Sequence, residues 1–401
     1  MSNTNYAAFA PGGPIPIVLL VPQLTVGGTE GQVAELLLGL DRNLFRPALW
    51  CPGAWGRCGE SLAGARIPVC RIPLSLRRPL SFLRAVRWLR KLAPEIFHSF
   101  SDGPEALDCL AAGLAGVPIF VSSRRNIRHW DVCGKVRWRE RLRNRRTAGV
   151  IANCSATAEL CARLEGLGPD RIHVVRNGAR LAPERSARPS PLRLAMGIAT
   201  TDLLIGNVAN LKKVKGQSIL LRGFRQVVAE LPSARLVICG EGEERGALQE
   251  LSEQLGVARH VFFLGLRNDL EEVYRTLDLY VHSSLAEGLP NAVLEAMAHG
   301  VPVVATSAGG TGELLAGHAG DCLVPPGDPV ALANMMLRML NDEPLRTQRG
   351  QAGRRKVAAQ FTLSHMVAGH ESLYLALARE AARERSRVKS ARGSRGWRQH
   401  A

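Results

Sequence analysis

Along this chain, short β-branched runs lead into a Gly-rich turn and then an amphipathic stretch. The series runs twice, on either side of a proline- and arginine-rich break. Such alternation marks parallel βα units. It predicts strands near 17–22, 47–51, 96–100, 118–122, 149–152 and 172–175, with helices near 30–40, 80–93, 104–115 and 155–164. Leu181 to Pro191, with Pro183 and Pro189 among polar residues, reads as a linker. Strands near 203–209, 235–239, 261–264, 279–282, 303–305 and 321–324 then alternate with helices near 216–231, 243–256, 269–276, 291–299 and 328–341. The expected fold class is therefore α/β, with two doubly wound domains facing each other across a cleft: residues 1–180, a linker at 181–192, and residues 193–360. Residues 361–401 form a C-terminal helix, capped by Thr362 and packing back toward the first domain, and a frayed basic tail from Arg379. Ligands of such sheets sit at the carboxyl ends of the strands.

The 401 residues are 46% hydrophobic and 22% charged, which excludes wholesale disorder and collagen-like repeats. A formal net charge of +17 favours anionic partners without choosing among them. Nine cysteines with no C-x-x-C pair read as small core residues in a reducing compartment. No signal peptide is visible, and the run Ile15 to Leu24 is too short to span a bilayer. The expectation is a soluble cytoplasmic protein that touches a membrane only from outside.

The most informative segment runs from Ser283 to Met297 and contains Glu287 and Glu295 in an E-x7-E spacing. A strand ending at His282 feeds a loop, and Pro290 or Asn291 opens a helix whose first amides lack partners, so an anion is expected there. Eight helical positions span roughly 12 Å, about the length of a ribose, diphosphate and sugar. Alone the spacing is cheap: one acid at a helix start and one on a solvated face would produce it. Gly27-Gly28-Thr29-Glu30 follows the first strand, where Thr29 and Gln32 could form a capping box. Lys212, Lys213 and Lys215 follow the first strand of the second domain, and a charge run is usually a solvated face. There is no D-x-D, P-loop, G-x-G-x-x-G after the first strand, or H-E-x-x-H, and no bound metal is expected.

Taken together, Gly206–Gly216, Leu236–Arg245, Val261–Gly265, the E-x7-E segment and Gly300–Ala305 resemble the GT-B retaining glycosyltransferases of family 4, the glycosyltransferase group 1 domain. The resemblance covers nearly the whole chain and implies two Rossmann-like domains, with the acceptor on the first and a nucleotide sugar on the second. It implies that Glu287 holds the donor sugar, that Glu295 holds the ribose, and that Gly288, Leu289, Pro290 and Asn291 bring backbone donors to sugar and phosphates. Gly27 and Gly28 would approach the diphosphate. Gly240, Glu241, Gly265 and Leu266 would lie beside the base. Lys215 matches a family lysine that neutralises the leaving diphosphate. Asn210 stands where many members have Arg, so Lys212 or Lys213 is expected to substitute. Many relatives carry a histidine in the loop that here reads Ser122-Ser123-Arg124-Arg125-Asn126, so Arg124 or Arg125 is assigned to a phosphate or the acceptor. His98 is as readily a core histidine as a functional one, and Asn177-Gly178 resembles the family's hinge turn. No cofactor is implied beyond the donor substrate.

Between Glu60 and Glu95 no acid occurs, yet Arg66, Arg71, Arg77, Arg78, Arg84, Arg87, Arg90 and Lys91 do. Phe82, Leu83, Val86, Leu89 and Leu92 could line one face of a helix there. A second basic run from Arg124 to Arg146 includes Trp130 and Trp138. Both suit docking on an anionic membrane surface and a lipid-linked or glycan acceptor. Solvated arginines on a sheet-packed helix would look the same. Two rival classes remain: another GT-B enzyme, such as a sugar-nucleotide epimerase or phosphorylase, and an idle scaffold binding anionic polymers. No nucleic-acid module is recognisable, and nucleic acid is not an expected partner.

Overall fold

Strands rich in valine, isoleucine and leucine, without polar alternation, suit sheets covered on both faces. The computed structural model describes residues 13–75, 77–101, 107–126, 143–183 and 191–396, with side chains through 387. Among these residues the strands form two wholly parallel sheets. The first joins β1 (Ile15–Leu20), β2 (Phe45–Trp50), β3 (Val69–Cys70), β4 (Ile96–Ser99), β5 (Ile119–Arg124), β6 (Thr147–Ala152) and β7 (Ile172–Val174) in the order β3-β2-β1-β4-β5-β6-β7. The second joins β8 (Leu203–Val208), β9 (Ala234–Cys239), β10 (Val261–Gly265), β11 (Leu279–His282), β12 (Val303–Thr306) and β13 (Leu323–Val324) in the order β10-β9-β8-β11-β12-β13. Strand order therefore reverses between β1 and β4 and between β8 and β11. Those are the points where such a sheet opens a crevice for ligand.

In the N-terminal lobe the helices are α1 (Gly28–Gly39), α2 (Arg57–Glu60), α3 (Pro79–Leu92), α4 (Leu107–Ala115) and α5 (Ser155–Glu165). In the C-terminal lobe they are α6 (Pro191–Ala195), α7 (Gln217–Glu230), α8 (Arg245–Gln254), α9 (Leu270–Thr276), α10 (Asn291–Ala298), α11 (Thr311–Leu315), α12 (Pro329–Asn341) and α13 (Glu343–Gln360). The chain then crosses back: Thr362 pairs with Ala179, and α14 (Leu363–Gly396) packs Met366, Val367, Leu373, Tyr374 and Leu377 into the N-terminal core. Thr362 caps this helix through His365 N at 3.2 Å. The chain does not fray at Arg379. Arginine, glutamate and alanine are good helix formers, α14 continues to Gly396, and Arg385 donates to Glu95 at 2.6 Å.

Basic residues of α13 serve the ends of other helices. Arg354 donates to Ala298 O at the end of α10, Lys356 to Ala316 O after α11, and Arg346 to Met339 O and Leu340 O in the last turn of α12. Cations there oppose the helix dipole. The eight described cysteines form no disulfide. Seven are buried, and desolvation pushes the Cys161 thiol up to about 12. Among the described residues no helix is long and apolar enough to cross a membrane.

On α3 the buried face is Phe82, Ala85, Val86, Leu89 and Leu92. Leu83, expected on that face, is instead exposed, because its neighbour positions already fill the contact with the sheet. Of the second basic run, residues 127–142, with Trp130 and Trp138, lie outside the described residues.

Candidate active site

The crevice between β8 and β11 is walled by the loops that leave those strands. After β8 the chain makes a tight turn at Lys213–Lys215 closed by Gly216 at φ +65°. A side chain at Gly216 would overlap the carbonyl oxygen of Ser283, so glycine is what lets the two loops meet. They are fastened by Ser283 Oγ to Lys215 O at 2.9 Å and Leu285 N to Val214 O at 2.8 Å. The fastening brings Lys215 Nζ onto Glu287 Oε1 as an ion pair. Ser284 Oγ donates to the same oxygen at 2.9 Å, and His282 Nε2 lies 3.4 Å from it, long for a hydrogen bond. The Glu287 side chain is only 12% exposed. Burial alone would raise its pKa, but His282 and the Lys215 ammonium outweigh this and hold the carboxyl at about 2. Lys212 and Lys213, expected to stand in for an arginine, are both exposed on this turn.

Helix α10 opens after Pro290 with no side-chain cap, so the amides of its first turn are left for a ligand. One to two turns inside, Glu295 accepts a hydrogen bond from Tyr274 Oη at 2.8 Å. Tyr274 is itself buried and stacks on His299, whose Nδ1 lies 2.7 Å from Glu295 O. Burial raises the Glu295 pKa, and the tyrosine bond only partly offsets it. The two acids of the E-x7-E spacing are thus driven in opposite directions. At the far rim, Gly240 at φ +143° lets its amide donate to Gly265 O at 2.8 Å. Glu241 pairs with Arg245, and Leu266 is exposed. Arg57 of the N-terminal lobe reaches over to Asn268 Oδ1 at 3.2 Å.

The N-terminal lobe contributes the turn after β1. Gly27 and Gly28 lie there, and Asn291 Nδ2 of α10 donates to Gly28 O at 2.8 Å. The capping box does not form. Gln32 instead exchanges two hydrogen bonds with the backbone of Gly178, at 2.8 and 2.9 Å. Gly288 is pressed against the N-terminal lobe, where an added side chain would overlap Arg125 O, and Leu289 is buried with its carbonyl bonded to Asn177.

The assignment of Arg124 is corrected. Its guanidinium is buried on Glu165 at 2.7 and 2.9 Å and on Asn144 at 3.2 Å, a scaffold ion pair at the end of β5. The neighbouring Arg125 is the one directed to the lobe junction, where it donates to Asn177 Oδ1. Adjacent strand-end residues face opposite ways, which is why the pair divides. His98 is a core histidine, with Tyr374 Oη 2.6 Å from Nδ1 and Ser123 Oγ 2.9 Å from Nε2. His129 lies outside the described residues. Sequence reasoning missed His282 and Tyr274, which touch Glu287 and Glu295. Their only signal was a histidine closing a strand and a tyrosine preceding it in an otherwise amphipathic helix. Among the described residues no group of three or more His, Cys, Asp or Glu is placed to hold a metal.

Comparison with known proteins gives the family and the fold. Residues 192–356 match the model of glycosyl transferases group 1, and residues 26–182 match glycosyltransferase family 4. EpsF of Bacillus subtilis (strain 168), itself a glycosyltransferase by assignment, is 33% identical over 300 residues, 69% of this chain and 75% of that protein. The UDP-Gal:alpha-D-GlcNAc-diphosphoundecaprenol alpha-1,3-galactosyltransferase of Escherichia coli is 24% identical over 318 residues, 77% of this chain and 82% of that protein. Anabaena HepE in complex with UDP-glucose superposes with a TM-score of 0.77 at 22% identity, covering 90% of this chain and 99% of that chain. With two facing Rossmann-like domains and both halves matched, the chain belongs to the group 1, family 4 glycosyltransferases of GT-B fold.

Proposed function

We propose that the protein transfers a sugar from a nucleoside diphosphate sugar to a lipid-linked or polysaccharide-precursor acceptor, with retention and without a metal. The reading rests above all on the Lys215–Glu287 pair, a cation and a carboxylate held together at the crevice between β8 and β11. Glu287 accepts hydrogen bonds from the donor sugar. Glu295, oriented by Tyr274, accepts them from the ribose diol. A diphosphate entering beside α10 competes for the Lys215 ammonium, and the free amides of the first turn add to it. The acceptor oxygen bonds to the anomeric carbon on the face from which the diphosphate departs. The departing phosphate oxygen takes the acceptor proton. The protein's part is positioning and charge stabilisation. A UDP-sugar donor is supported by the likeness to a HepE complex with UDP-glucose, and a lipid diphosphate acceptor by the name of the Escherichia coli relative.

For the acceptor side we propose docking on an anionic membrane through α3 and α4. Leu80 and Leu83 are 75% and 47% exposed, Leu110 and Leu114 are also exposed, and Arg77, Arg78, Arg84, Arg87 and Lys91 surround them. Co-sedimentation with vesicles at low salt tests this; equal binding to neutral and anionic lipid ends it. The donor reading is tested with a panel of UDP- and GDP-sugars in the presence of EDTA. Wild-type protein is expected to turn one over, and Glu287→Ala to lose about 100- to 1000-fold in rate while melting near the wild-type temperature. Undiminished turnover by the variant overturns the assignment of Glu287.

A further inference from the structure

We propose that Asn177 is a positioning residue that fixes the start of α10 above the Gly27–Gly28 turn, so that the donor site is assembled only when the lobes are closed. The proposal rests on the donor-site reading above. Three side chains and two carbonyls form one chain of hydrogen bonds across the junction, and a fourth side chain anchors it. Gln32 of α1 holds the backbone of Gly178 from both sides, which makes the adjacent Asn177 a rigid part of the N-terminal lobe. Arg125 donates to Asn177 Oδ1. Asn177 Nδ2 crosses to the other lobe, donating to Leu289 O at 3.1 Å and Asn291 Oδ1 at 2.6 Å. Asn291 Nδ2 returns to Gly28 O at 2.8 Å.

The chain has a direction. A guanidinium can only donate, so the amide oxygen of Asn177 must face Arg125 and its nitrogen must face the C-terminal lobe. Asn291 must then present its oxygen to Asn177, which leaves its nitrogen for Gly28. The charge at one end therefore sets the orientation of both amides. Asn177 is buried, and so is Leu289, so a donor lost here is not replaced by bulk water. Its reach ends on the residues that begin α10, and α10 carries Glu295 and the amides expected to meet the diphosphate. Gly28 fits the same design: an added side chain there would lie 2.7 Å from Asn291 Nδ2.

Asn177→Asp tests the proposal. It keeps the acceptor for Arg125 and replaces the donor by an oxygen that faces Leu289 O and Asn291 Oδ1. Transfer at saturating donor is expected to fall about 10- to 100-fold. Affinity for the bare nucleoside diphosphate, UDP or GDP, should stay within about threefold, because Glu295 and the α10 amides stay on the C-terminal lobe and only the approach of the Gly27–Gly28 turn is lost. Small-angle scattering of the ligand-free protein should show a larger radius of gyration than wild type. A merely structural role would lower the melting temperature without this split. Should Asn177→Asp not fold, Asn291→Ala removes the last link instead and is expected to give the same expansion and the same loss of turnover. A variant that folds and keeps both the wild-type radius and the wild-type turnover overturns the proposal. If wild type binds no nucleotide and turns over no sugar donor, the donor reading fails, and the scattering comparison still decides whether the side chain ties the lobes together.

Discussion

At the crevice between β8 and β11, the C-terminal lobe sets Lys215 against Glu287. At the matching crevice between β1 and β4, the N-terminal lobe sets two glycines and a histidine, His98, whose ring nitrogens are both bonded. The N-terminal lobe has its own ion pairs, Arg124–Glu165 and Arg143–Asp108, but both are more deeply buried and are surrounded by further hydrogen bonds, Arg143 donating also to Ser99 Oγ at the end of β4. Residues of the same kinds thus serve as fastening in one lobe and, on the function proposed above, as machinery in the other. What separates the two is access: the N-terminal pairs are enclosed, whereas the Lys215 side chain remains 24% exposed.

Arg124→Met and Lys215→Met should break that symmetry most clearly. Removing Arg124 leaves Glu165 buried without its cation, at a cost of about 3–5 kcal/mol in the urea unfolding free energy. Turnover per folded molecule should barely change. Removing Lys215 also leaves Glu287 without its cation, but the lysine is the more exposed partner, so the stability cost should be smaller than for Arg124, and transfer should fall about 100-fold. If instead Arg124→Met loses turnover without losing stability, the contrast between fastening and machinery is wrong. Gly288→Ala comes next: overlap with Arg125 O should lower stability by about 1–3 kcal/mol and weaken the lobe contact, read by melting and by scattering.

The smallest effect is in pH. Glu287 is held at about 2, so its ion pair contributes fully above the ordinary carboxylate value and is lost only as pH falls through about 2. Glu295 is shifted upward by burial. Its ionised form costs stability at neutral pH, and that cost is relieved as pH falls. Donor affinity should therefore weaken first through protonation of Glu295. Tyr274→Phe removes the bond that pulls this pKa down, so the acid limb of donor binding should move to higher pH. A limb that stays in place would separate Glu295 from donor binding.

Most of the fold could be read from the chain because each strand and helix carries its own period, but β3 and α2 could not. β3 is two residues long and α2 is four, so neither extends beyond about one repeat of its kind. The C-terminal half of the site was legible for a similar reason: Glu287, Asn291 and Glu295 sit in one continuous segment. Their supports were not. Tyr274 meets Glu295 from another helix, Asn177 and Gly28 meet Asn291 from two separate turns, and Arg125 holds Asn177 from a third, so no local spacing records them. Arg124 and Arg125 are alike in sequence, and only the direction of a strand end tells them apart.

The path of α14 has a consequence for biosynthesis. Met366, Val367 and Tyr374 complete the core that begins with Ile17 and Leu19. A growing polypeptide ordinarily folds its leading domain while the rest is still being made. Here the N-terminal lobe lacks part of its interior until α14 has emerged from the ribosome, so a premature stop after residue 360 would injure a lobe whose own strands had already been translated.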